Sequence, residues 1–274
     1  MGWDVTYHPI GRDDIKHIYF KTLAEPSYAR KVATDFGLSD EDYDRMCHMF
    51  DMGRSFDKAE QFNKTHAFCI AIIAGFLRNY HYIRGGAFSF LASEDKAFER
   101  YITSWRELVP DDYNDCIFDD MLTENYCGGV YIRHENLVRI KHDYKTDPHI
   151  KQRLDQVFSH ERLDIFWQAV DSAIAQGLDL IEATEVVTPH PIQLDQTECY
   201  SKLTNCDRAG IVLYGMAVMQ QIAELQASTD DSAPSAASTP EQSDQPDSTS
   251  SAEQASTTSS GSWFGKLFAR WFGH

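Results

Sequence analysis

The chain has six cysteines and not one C-x-x-C pair, so the sequence offers no simple zinc or redox spacing. It has no strand–GxxxxGK[ST]–helix pattern, which excludes a P-loop, and no G-x-S-x-G nucleophile elbow. Its start, MGWDVTYHPI, lacks a basic n-region and an apolar h-region and does not read as a secretory signal. The uncharged run Ala67–Leu77 is too short to span a bilayer. Together these absences predict a cytoplasmic protein with reduced thiols. Positive charge is also scarce. The net charge is −17, and residues 1–226 alone hold 36 acids against 23 bases. Phosphate recognition needs Lys and Arg, so nucleic acid is excluded as a partner. An acidic surface fits solubility or a basic protein partner.

What is present reads as a mainly α (α+β) fold, a single helical domain over 1–226 with two to four short strands. Trp3–His8 alternates as a first strand ending at Pro9. Asp13 and Asp14 open a helix through Ile15, Ile18 and Tyr19. The next helix starts near Pro26 and stops at Gly37. Ser39 caps a helix whose first turn is acidic and which carries Met46 and Phe50. Phe62–Tyr80 reads as one buried central helix. Ser93 caps a further helix through Phe98, Tyr101, Trp105 and Leu108 to Pro110. An acidic connector over 111–128 leads to the apolar run Val130–Ile132. Helices follow at Glu135–Tyr144, after Asp147-Pro148, and from Leu163 to Gly177. Glu182–Thr204 reads as irregular, and Asp207 caps a last helix, Ala209–Leu225. The segments HYIRGGAFSF and NYCGGVYIR share a Gly-Gly pair, which raises the idea of a duplicated half.

The chemical candidates are sparse. His134, His142 and Asp143 supply metal-ligating types, so a metal-assisted hydrolase is the alternative to a non-enzymatic protein. Arg84, Gly85 and Gly86 form either an anion nest or a plain helix C-terminus. Glu182 with Glu185, or Asp119 with Asp120, could do acid–base work. Cys47 beside His48, and Cys199 with Cys206 around a turn, read as structural thiols. No cofactor or resident metal is expected.

Residues 227–262 are Ser, Thr, Ala, Pro, Gln and acids with no base, the composition of a disordered linker. The twelve residues after it, WFGKLFARWFGH, are different. At helical spacing Trp263, Phe264, Leu267, Phe268, Trp271 and Phe272 form one apolar half, and Lys266 and Arg270 fall on the other. An amphipathic tail helix over 263–274 predicts attachment to a membrane surface, to a partner's groove, or to its own domain.

The stretches GGVYIRHENLVRIKHDY, DPHIKQRLDQVF, LDLIEATEVVTPHP and TNCDRAGIVLY resemble uncharacterised bacterial cytoplasmic proteins. Some of these accompany secreted interbacterial toxins as immunity partners. The resemblance covers about 1–226 and carries no functional residue across. It implies a non-catalytic acidic domain that binds a protein partner, a basic toxin being the case it points to; the tail, which the resemblance does not cover, is expected from its own pattern to hold the protein peripherally at the inner membrane. A membrane-recruited scaffold is the third reading.

Overall fold

The computed structural model describes residues 3–230, with side chains to 227. The chain divides into two units, Met1–Val218 and Met219–His274. Of the second, only the helical residues 219–230 are described.

The elements of the first unit begin with β1 (Asp4–Ile10) and a helical run made of α1 (Arg12–Asp14), a π-helical turn over Ile15–Phe20 and α2 (Lys21–Ala24). Then come α3 (Tyr28–Asp35), α4 (Asp40–Ser55), α5 (His66–Leu77), β2 (Tyr80–Arg84), α6 (Phe88–Glu94) and β3 (Ile102–Thr103). The second half holds β4 (Gly128–Ile132), α7 (His134–Thr146), α8 (Pro148–Val157), α9 (Arg162–Ala175) and β5 (Asp179–Thr184). It closes with β6 (Val187–Thr188), β7 (Glu198–Cys199), β8 (Cys206–Asp207) and α10 (Ala209–Asp230), which runs on into the second unit.

Local chemistry accounts for several helix ends. The Ser39 hydroxyl accepts the Asp42 N–H at 3.1 Å to start α4. The Asp147 carboxylate accepts the N–H groups of His149 and Ile150 at the head of α8, with Pro148 in its first turn. Asp207 accepts the Ala209 N–H at 2.9 Å before α10. Gly37 and Gly177 stop α3 and α9 with φ of 63° and 66°.

The fold is α+β, with more sheet than the sequence predicts. Six strands form one sheet in the order β3-β4-β5-β1-β2-β8, and β6 pairs with β7 separately. All pairings of the large sheet are antiparallel except β2 with β8. Val5, Tyr7, Ile83, Val130, Ile132 and Leu180 pack on one face beneath α6, α7, α8 and α9. Helix α5 lies on the other face, against β1, β4 and β5. With both faces covered, β1, β4 and β5 are buried along their whole length.

Three expectations are corrected. Phe62–Tyr80 is not one helix: it is a 3₁₀ turn, then α5, and Tyr80 opens β2. The periodic stretch after Ser93 is not a helix either. Ser93 lies inside α6, Asp95 caps a 3₁₀ helix through the Ala97 N–H, and the chain then extends as β3. Its apolar residues are buried as the period demands, but the Trp105 indole N–H donates to the Gly129 carbonyl at 2.9 Å, a tertiary contact that overrides helical propensity. Finally, the irregular reading from Glu182 hid the end of β5, a central strand. Strand β1 also passes through Pro9 to Ile10. Its pairing with β2 ends at Tyr7, so the missing proline N–H faces no ladder on that side.

The two Gly-Gly pairs are not equivalent. Gly85-Gly86 follows β2, whereas Gly128-Gly129 opens β4. At Gly128 the need is space: a Cβ would lie 2.6 Å from the Cβ of Ala67 and 2.8 Å from its carbonyl carbon, where α5 sits on the sheet. No helix among the described residues is long and apolar enough to cross a membrane. We expect Gly128→Ala to push α5 off β4 and cost about 1–3 kcal/mol, the usual penalty of overpacking. A urea midpoint unchanged from the parent would show that the two elements separate freely there.

Candidate functional site

Because β1 is antiparallel to β2 and β5, and β5 to β4, four chain ends meet at one end of the sheet. They bring together Asp4, Arg84, Glu185 and the Tyr126-Cys127 pair. The buried Asp4 carboxylate forms an ion pair with Arg84 and accepts the Tyr82 hydroxyl. The Arg84 guanidinium also lies 4.7 Å from the ring centre of Tyr214. The Glu185 N–H donates to the Asp4 carbonyl at 2.8 Å, and its Oε2 accepts the Thr188 hydroxyl at 3.3 Å. Thr184 closes the loop before β4: its hydroxyl donates to the Glu124 carbonyl at 3.1 Å and its N–H to the Cys127 carbonyl at 2.9 Å. Tyr126 and Tyr200 pack edge to face at 6.1 Å.

Two residues of this cluster, Tyr126 and Glu185, sit in the left-handed region with φ of 59°. Bulky side chains seldom do so, and the cost is about 1–3 kcal/mol each. At Glu185 the conformation is imposed by its neighbours: the bond to Asp4 precedes it and the Tyr200 N–H to Val186 carbonyl bond, 3.0 Å, follows it.

Electrostatics add to the tension. Burial first, then the charge of Asp4, pushes the Glu185 carboxyl up to about 7. Burial also raises Tyr126 and Tyr200, with the charges of Glu185 and Glu198 adding to the effect. Arg84 is opposed by burial, but the bond to Asp4 and its charge more than compensate and strengthen its proton affinity. Among the described residues neither Glu185 nor Glu198 forms an ion pair, and Glu198 is exposed. Half-buried tyrosines beside acids that form no ion pair among the described residues suit the gripping of a cationic group, and Tyr is among the residues that dominate protein interfaces.

The residues singled out from sequence are distributed differently. His134 is eight residues from His142 and nine from Asp143 along α7, about 12–14 Å of rise, so one ion cannot bridge them. The His134 N–H donates to Asp179 at 2.7 Å, His142 is exposed, and Asp143 is held by Arg100 and Tyr101. No group of three or more His, Cys, Asp or Glu among the described residues is placed to hold a metal. Gly85 has φ of 75° at the end of a strand rather than a helix, and its N–H is taken by the Trp3 carbonyl at 2.9 Å. Arg84 is committed to Asp4.

Glu182 and Glu185 do not act as a pair. Glu182 is fully buried under α6, where it accepts from Tyr7, Ser89 and the Phe88 N–H. Asp119 and Asp120 hold loop N–H groups. Burial raises all six thiols, Cys69 and Cys206 to about 12. The linker beyond 230 and the tail residues Trp263, Phe264, Lys266, Leu267, Phe268, Arg270, Trp271 and Phe272 lie outside the described residues. Asp4, Tyr126, Tyr200 and Glu198 were not legible as a site; only Glu185 stood out, and for its spacing from the wrong partner.

The raised Glu185 value gives a pH signature. The native state holds this proton more tightly than the unfolded chain, whose carboxyl titrates near 4.5. That contribution to stability is complete below pH 4.5 and is lost as pH rises through about 7. His8 and His66, lowered by burial to about 3 and 4, act the other way and cost stability as pH falls below 6.5. Comparing Glu185→Gln with the parent cancels the histidines. The variant should be more stable at pH 8 by about 1–3 kcal/mol and converge with the parent near pH 4. A pH-independent difference would mean that Glu185 titrates normally. No family model, curated protein or solved structure matches this chain.

Proposed function

We propose that this protein acts by binding: the strand-end cluster receives a basic side chain of a protein partner, and no catalytic step is involved. The observation that carries the reading is Glu198, an exposed acid with no ion pair among the described residues, with Glu185 beside Tyr126 and Tyr200. A lysine or arginine from a partner would meet the Glu198 carboxylate and two aromatic rings there, and its charge would favour the ionised form of Glu185. The acidity of the whole chain adds long-range steering toward a basic surface. The resemblance to immunity-type proteins suggests that this partner is a basic toxin. The aromatic tail then provides a second attachment, to the inner membrane or to another protein, which leaves the first contact salt-sensitive and the second much less so.

The test is capture by the immobilised full chain from a lysate of the source organism, beside Glu198→Lys and Tyr200→Ala. One basic partner in stoichiometric amount should be held by the parent. Its retention should fall about tenfold or more in either variant and between 0.15 M and 0.5 M salt, as for desolvated interface charges. A partner held equally by the parent and both variants places the interface elsewhere. Retention indifferent to salt removes the electrostatic basis of the reading.

A further inference from the structure

The strand ends gather the acids Asp4, Glu185 and Glu198 around a single base, Arg84. That base is taken by Asp4. Glu185 follows the Val5–Thr184 pair of the ladder, and its N–H reaches the Asp4 carbonyl at 2.8 Å. Only 8% of its surface is exposed. Its Oε2 accepts the Thr188 hydroxyl at 3.3 Å, a neutral donor. The next residue, Val186, accepts the Tyr200 N–H at 3.0 Å, so the main chain is pinned on both sides of this carboxyl.

The groups that face Glu185 come from every neighbouring element. They are Asp4 of β1, Arg84 at the end of β2, Tyr126 before β4, Thr188 of β6, and Tyr200 after β7. Glu198 of β7 acts on the same two tyrosines. Both phenols are raised above their ordinary value, mainly by burial, and carry no charge near neutral pH. Ionising Glu185 therefore sets a second negative charge beside Asp4, with the one arginine already shared. Burial first, then Asp4, keeps its proton on up to about pH 7. A partner's lysine or arginine stays charged throughout that range and supplies the missing positive charge. The coupling is reciprocal: a cation that loosens the proton must bind more tightly once the proton has left.

We propose that the strand-end cluster exchanges a proton for a cation, so that a partner's basic side chain is held at neutral to alkaline pH and let go on acidification. The Glu185 carboxyl gives its proton to solvent as the cation arrives, and takes one back as the cation leaves. This inference rests on the cation-binding reading of the cluster and adds its regulation. Glu198 makes the exposed contact, and Glu185 sets the pH at which that contact is strong.

The test titrates the full chain, isotope-labelled at its glutamate carboxyls, with acetyl-tetralysine amide at about 20 mM salt. Glu185→Gln and Glu198→Lys are titrated beside it. Glu185→Gln mimics the protonated acid. The parent should bind about as tightly as Glu185→Gln near pH 5.5 and about tenfold more tightly near pH 8.5, the change expected if the cation lowers Glu185 by about one unit. The histidines, His190 of the β6–β7 turn included, are common to both and cancel. In the parent, the Glu185 carboxyl resonance, assigned through its own backbone amide, should titrate near 7 alone and about one unit lower with saturating peptide. That reading needs no variant to fold. Binding that Glu198→Lys abolishes but that is equal in parent and Glu185→Gln at every pH overturns the proton exchange alone. A Glu185 titration that bound peptide leaves unmoved does the same. No binding by the parent, or binding that Glu198→Lys leaves intact, removes the cation site and this inference with it.

Discussion

The sheet is covered on both faces, so the polar groups that its central strands carry find their partners, where they have them, inside the protein. Strand β1 brings Asp4, Thr6 and His8 into the interior, and β5 brings Asp179, Glu182 and Thr184. The solutions are local and specific. The Thr6 hydroxyl donates to the Ala183 carbonyl and accepts from His8 Nε2 at 2.8 Å, and burial keeps that imidazole, stacked on the ring of Tyr80, neutral. Asp179 takes the Tyr131 hydroxyl and the first N–H of α7. Glu182 takes the first two N–H groups of α6 together with Tyr7 and Ser89. These carboxylates do the work of helix caps from within the sheet, and so fix where α6 and α7 start relative to the strands.

The same constraint explains what could be read from the sequence. Helices with a polar side announce themselves: α4, α8 and α9 lie close to where their caps and periods put them. The central strands do not. DLIEAT has an acid at its start and another near its centre, and its polarity reads as a loop unless one knows that Tyr7 and Ser89 wait on the facing elements. Tyr80 extends an apolar helix by composition, and only its pairing with Cys206 and its neighbour β1 reveals a strand. The strand-end cluster was hidden for a further reason. Its members come from positions 4, 84, 126, 185 and 200, and only the order of the strands gathers them.

The cluster is one of two places among the described residues where the backbone departs from local preference, the other being His160-Glu161 between α8 and α9. Left-handed Tyr126 and Glu185 are neighbours in space, and one of them is an acid held away from water beside another acid. A chain selected for stability alone would place glycine or asparagine at such turns. The surroundings that hold them come from the buried sheet.

The outer strands of the sheet, β3 and β8, are two residues long. Strand β4 continues beyond the reach of β3, and there the indole of Trp105 occupies the carbonyl of Gly129 in place of a neighbouring strand. Neither border therefore offers a run of open backbone groups on which a foreign strand could grow. Among the described residues, the short outer strands leave little backbone for strand addition at these two margins, so association there falls to side chains.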